Sequence, residues 1–156
     1  MNFRELLPRG KISEETLQAL TPVFEGERLC KEGRYEEAKT QYLEALDNFP
    51  PCSGGRFLVY NKLGILYERL NRIERAIEVY QKGVSEGTIT PFTYQRLSYL
   101  LLNSNRLLEA MSYCEKGLGC LKRAPHINLA QEIYFWLIFQ RLKRKIKSRL
   151  PGALRV

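Results

Sequence analysis

His126, beside Pro125, is the single histidine of the chain. No second imidazole is available to share a metal or relay a proton. Acid–base chemistry would fall to His126 or to a pair of carboxylates. Glu14-Glu15 and Glu36-Glu37 are adjacent in sequence, but neighbouring helical positions point apart, so they read as solvated faces. Cys30, Cys52, Cys114 and Cys120 contain no CxxC pair and lack zinc-site spacing. Several read instead as small hydrophobes in helix-packing faces; a reducing compartment fits best, although four cysteines allow pairing. Gly54-Gly55 is not followed by the lysine and hydroxyl residue of a phosphate-binding loop. The chain is therefore read as non-enzymatic, with no catalytic residue, no metal site and no cofactor.

The chemistry left is charge and recognition. Arg141, Lys143, Arg144, Lys145, Lys147 and Arg149 lie together with no acidic residue among them. Near a helix C-terminus they interact well with the helix dipole. They also form a basic patch able to contact phosphates without reading bases. The net charge of +8 is uneven: residues 1–55 are net −3 and residues 56–156 net +11. With 156 residues, 44% hydrophobic and 27% charged, the chain fits one folded domain. Met1 to Pro8 lack the apolar run of a secretory signal. The longest apolar run, Ile133–Phe139, is too short to span a bilayer. A cytoplasmic location is expected.

The elements that position these residues are legible as a repeat. Gly33-Arg34-Tyr35-Glu36-Glu37-Ala38, Asn71-Arg72-Ile73-Glu74-Arg75-Ala76 and Asn105-Arg106-Leu107-Leu108-Glu109-Ala110 align. The alanines are 38 and 34 residues apart, and the same intervals separate Tyr42, Tyr80 and Cys114. A second helical pattern precedes each stretch, with Gly26, Gly64 and Ser98 at equivalent places. A small residue there lets two antiparallel helices approach closely. Tyr42 and Tyr80 are expected to fill the space between neighbouring units.

This set resembles the tetratricopeptide repeat family over residues 19–123. The resemblance implies an all-α, right-handed superhelical array of three helix–turn–helix repeats. Residues 1–18 would lead into it, residues 124–150 would cap it as a C-terminal helix, and 151–156 would form a tail. The chain departs from the family pattern at several places: Pro22 stands where a large aromatic is usual, Ser98 replaces glycine and Cys114 an aromatic. Gly83 and Gly117 stand where repeat one has Ala45, and are expected to weaken packing or helicity.

Ser13–Leu20 reads as a short leading helix, with new helices starting near Thr21-Pro22 and Thr90-Pro91. Phe49–Gly55 reads as an inter-repeat loop. Pro125–Leu150 reads as one long helix whose face Leu129, Ile133, Trp136, Leu137 and Gln140 covers the last repeat. Ile133–Phe139 is apolar all round, which suggests self-association or a partner contact.

The resemblance also implies a concave groove, lined by the first helix of each pair, that binds an extended or helical segment of a protein partner. Repeat one supplies Leu20, Val23, Phe24, Glu27, Cys30 and Lys31. Repeat two supplies Leu58, Asn61, Lys62, Ile65, Glu68 and Arg69. Repeat three supplies Phe92, Gln95, Arg96, Tyr99, Leu102 and Asn103. Its mixed aromatic and basic lining suits an acidic-hydrophobic segment. The family's carboxylate clamp for chaperone tails is not matched: Val23, Glu27, Lys62 and Phe92 occupy its positions, and only Arg96 agrees. A scaffold or protein-interaction module is the leading reading. Nucleic-acid or anionic-surface binding through the basic C-terminal helix is the alternative.

Overall fold

The computed structural model describes residues 14–87, 90–121 and 128–151. His126 and the helix start expected at Pro125 lie outside the described residues. Among the described residues the seven helices are α1 (Glu14–Lys31), α2 (Tyr35–Asn48), α3 (Gly54–Arg69), α4 (Ile73–Ser85), α5 (Pro91–Asn103), α6 (Leu107–Leu121) and α7 (Leu129–Arg149). No strand occurs among the described residues. The chain divides into two compact units, Met1–Pro50 with α1 and α2, and Pro51–Val156 with α3 to α7.

One turn recurs in each helix pair. Gly33, Asn71 and Asn105 have φ of 77°, 55° and 58°. This left-handed residue ends the first helix, a place where glycine and asparagine are favoured. The next amide reaches back to a helix carbonyl: Arg34 to Leu29 at 2.9 Å, Arg72 to Tyr67 at 2.8 Å and Arg106 to Leu101 at 2.8 Å. The arginine carbonyls then accept from Ala38, Ala76 and Ala110, opening the second helices. The aligned Gly/Asn-Arg signal is thus a helix stop and a helix start combined.

The close-packing positions hold, with one change of partner. A Cβ on Gly26 would lie 2.6 Å from the Tyr42 ring, and one on Gly64 would lie 2.3 Å from the Tyr80 ring. The tyrosines therefore fill the space within their own helix pairs, over the glycine, where the sequence reading put them between units. In the third pair Ser98 bonds the Tyr94 carbonyl at 2.8 Å, and Cys114 is wholly buried. Gly83 and Gly117 are not packing weaknesses. A Cβ on Gly83 would lie 3.2 Å from Tyr60 Cβ, and one on Gly117 would lie 2.3 Å from the Phe139 ring.

In the first unit, the leading helix and the first repeat helix are one element. α1 runs through Pro22 without a break. Proline removes one backbone donor, yet buried Pro22 packs in the same face as Ala19, Val23, Gly26 and Leu29. In the second unit, Gly54-Gly55 lies inside the first turn of α3, not in a loop. Ser53 caps that helix by accepting from the Arg56 amide at 3.3 Å.

The same first turn is tied to the end of α4. Arg56 donates to Glu86 at 2.8 and 3.1 Å and to the Tyr60 hydroxyl at 2.9 Å, while Tyr60 donates to Glu86. The Arg56 hydrogen bonds hold the Glu86 carboxyl down to about 2. Pro91 opens α5; Thr90 precedes it without a side-chain cap bond, its hydroxyl lying 2.7 Å from that of Thr93.

The core of this unit joins Tyr80, Leu97, Leu101, Cys114, Phe139 and Ile146. α7 packs on α5 and α6 with Phe139, Leu142 and Ile146, so it caps the last pair with a different face from that expected. Leu129, Ile133, Trp136 and Leu137 are exposed instead. Asn128 and Gln131 form a reciprocal cap at 2.9 and 3.1 Å. This cap places the helix start at Leu129, and the Asn-x-x-Gln spacing was the overlooked signal.

Candidate functional site

In the second unit, two side-chain links join α3 to α5. Thr93 donates to Asn61 at 2.7 Å. Arg96 grips Glu68 through two nitrogens, with Nε donating at 2.9 Å. The expected groove residues of repeats two and three therefore lie on helices joined at two levels. On α3, Lys62 and Ile65 are half-buried and Arg69 is exposed; on α5, Phe92 and Gln95 are half-buried and Tyr99 is exposed. Apolar area on these two helices comes from Ile65, Phe92 and Tyr99, and cationic heads come from Lys62 and Arg69.

Two of the expected contacts are already engaged. Asn61 accepts from Thr93. Arg96 is bound by Glu68, which also accepts from the Tyr80 hydroxyl at 2.8 Å. Burial, the largest single influence, pulls the Arg96 pKa down, but the hydrogen bond and charge of Glu68, with Tyr80 adding to them, together outweigh it and the net shift is upward. Burial, with the Glu68 charge adding to it, raises the Tyr80 pKa. Arg96 thus has a structural task at the only position that agreed with the carboxylate clamp. Leu102, expected in the groove, is wholly buried. The Glu68–Arg96–Tyr80 cluster and Thr93 were not foreseen. Their pairing crosses repeats at spacings that no local pattern displays.

In the first unit, Phe24 and Glu27 are half-buried on α1 and Lys31 is exposed at its end. Val23 is wholly buried and has no surface to offer. The carboxylate neighbours diverge as helix geometry requires: Glu36 pairs with Lys39 and Glu37 with Arg34.

The basic run lies on α7. Lys143 pairs with Glu115 at 3.3 Å, and Arg149 donates to the Leu102 carbonyl at 3.3 Å. Arg141, Arg144, Lys145 and Lys147 are exposed. Part of the run therefore fastens the helix, and part faces solvent. Within Ile133–Phe139, Phe139 is wholly buried, whereas Ile133, Tyr134, Trp136 and Leu137 are exposed. No helix among the described residues is long and apolar enough to cross a membrane.

The tetratricopeptide repeat model matches residues 58–86, from α3 to the end of α4. A TPR repeat-containing protein of Methanocaldococcus jannaschii is 27% identical over 95 residues, covering 61% of this chain. The match spans 28% of that relative's own length. A type III secretion complex from Aeromonas hydrophila aligns with a TM-score of 0.67 at 18% identity, covering 86% of each chain. The Yersinia enterocolitica type III secretion chaperone SycD, solved with a peptide of the translocator YopD, aligns at 0.63 and 18% identity, covering 87% of this chain and 98% of that one. The first TPR of Spaghetti (RPAP3), solved with an HSP90 peptide, aligns with a TM-score of 0.56 at 22% identity, covering 80% of this chain and 92% of that one. At these identities the structural likeness concerns the fold.

Proposed function

We propose that this chain, which resembles the tetratricopeptide repeat family in sequence and fold, is a non-enzymatic module that holds a segment of a partner protein. The α3/α5 surface of the second unit is the contact, and scaffolding within a larger assembly is its use. The observation that carries this reading is the Thr93–Asn61 and Arg96–Glu68 pair of links. They link two first helices, on which Ile65, Phe92 and Tyr99 would meet such a segment together with Lys62 and Arg69. Rigid support of this kind lowers the cost of ordering a surface on binding.

An acidic-hydrophobic segment complements the surface, its carboxylates meeting Lys62 and Arg69 and its apolar side chains meeting the rings. Two structural neighbours were solved with bound peptides, which supports peptide holding by analogy of fold. Four free thiols suit the reducing cytoplasm. Phe24, Glu27 and Lys31 are candidates for a further contact on the first unit.

The test is capture from native lysate after nuclease treatment, with low- and high-salt washes and identification by mass spectrometry. The proposal expects a stoichiometric protein that survives both treatments and is lost with Arg69→Glu and Tyr99→Ala. Capture of nuclease-sensitive or salt-labile material alone would transfer the function to the exposed basic residues of α7.

A further inference from the structure

The first half of α7 exposes Leu129, Ile133, Trp136 and Leu137, with 72, 52, 49 and 53% of their surfaces open. Their spacing of i, i+4, i+7 and i+8 is that of a stripe that packs against another helix. Beyond half-buried Gln140 the same stripe continues to exposed Arg144 and Lys147. It runs along the side away from buried Phe139, Leu142 and Ile146. The face therefore changes from apolar to cationic along the helix axis. No acidic residue follows Glu132 in this helix. Arg144 forms no ion pair among the described residues.

We propose that α7 docks a helix of a partner protein, antiparallel to it, with an acidic N-terminal half and an apolar C-terminal half. Charge complementarity selects this occupant. Its carboxylates would face Arg144 and Lys147, and its apolar side chains would cover Ile133, Trp136 and Leu137. The orientation follows from the helix dipoles, because acidic residues favour a helix N-terminus and basic residues a C-terminus. An antiparallel pair satisfies both preferences at once.

The α7 of a second copy fits poorly. Antiparallel pairing would press its cationic half on the apolar half, and parallel pairing would oppose like charges. A membrane surface also fits poorly. A helix lying in a bilayer interface carries its apolar stripe along its length with cations beside it. Here the cations continue the stripe itself.

Trp136 is the single tryptophan of the chain, so its emission reports on this face alone. Two synthetic helical peptides of identical composition serve as probes. One has glutamates in its N-terminal half and leucines at helical spacing in its C-terminal half; the other has the halves exchanged. The first should shift Trp136 emission to the blue and bind about tenfold more tightly than the second. The double variant Arg144→Glu, Lys147→Glu should erase that preference while keeping the native circular dichroism. Equal binding of the two peptides, or no shift with either, would overturn the proposal. So would a blue shift produced only by phosphatidylserine vesicles, or one that grows with protein concentration alone and marks self-association.

Discussion

Gly117 and Gly119 lie two positions apart in α6, yet their surroundings are opposite. A Cβ at Gly117 meets the Phe139 ring at 2.3 Å, whereas one at Gly119 meets nothing within 4 Å. Gly117→Ala should therefore destabilise the fold by about 1–3 kcal/mol through overpacking. Gly119→Ala should stabilise it by roughly 0.5–1 kcal/mol through reduced chain entropy. Urea unfolding of the two variants decides both signs. Glu86 supplies a second residue-scale prediction. The Arg56 hydrogen bonds lower its pKa from 4.5 to about 2. The ion pair thus contributes fully above about pH 4.5 and fades as pH falls toward 2. Wild type should lose stability more steeply than Glu86→Gln across that window in pH-dependent thermal melts. Neither site was legible in the sequence. Gly117 read as a weakened alanine because its neighbour, Phe139, comes from a different helix.

At the scale of elements, local signals succeeded where one turn determined the outcome. Gly33, Asn71 and Asn105 marked helix ends because a left-handed residue is needed there. Pro22 misled because proline commonly opens a helix, while buried apolar packing carries α1 through it. α7 misled in another way: an apolar run on all sides does not say which face the core takes. Phe139→Ala should cost about 3–5 kcal/mol, since that side chain is wholly buried. Ile133→Ser and Leu137→Ser should each stay within about 0.5 kcal/mol, since both side chains are more than half exposed. Guanidinium unfolding of the three variants measures which face of α7 holds the cap.

For the whole molecule, the repeat spacing made the all-α, tetratricopeptide-like fold readable before any contact was known. The proposed binding surface was readable only in outline. Helix periodicity placed Ile65, Phe92 and Tyr99 on first helices, but it could not reveal that Glu68 already holds Arg96 or that Leu102 is buried. Those facts depend on packing between helices far apart in sequence. Glu68→Gln should weaken the α3–α5 link without removing the ring surface. The expected result is a loss of stability larger than the loss of partner affinity, read by thermal melts alongside binding titrations.

The central claim is that the α3/α5 surface holds a protein segment. Its most direct test is photo-cross-linking in living cells, with a benzophenone amino acid at position 99 and a control at position 108. Tyr99 is 44% exposed on α5 and Leu108 is 61% exposed on α6. The account predicts one dominant protein adduct from position 99, lost with Arg69→Glu, and none of comparable yield from position 108. Equal adducts from both positions, or none from 99, would contradict it.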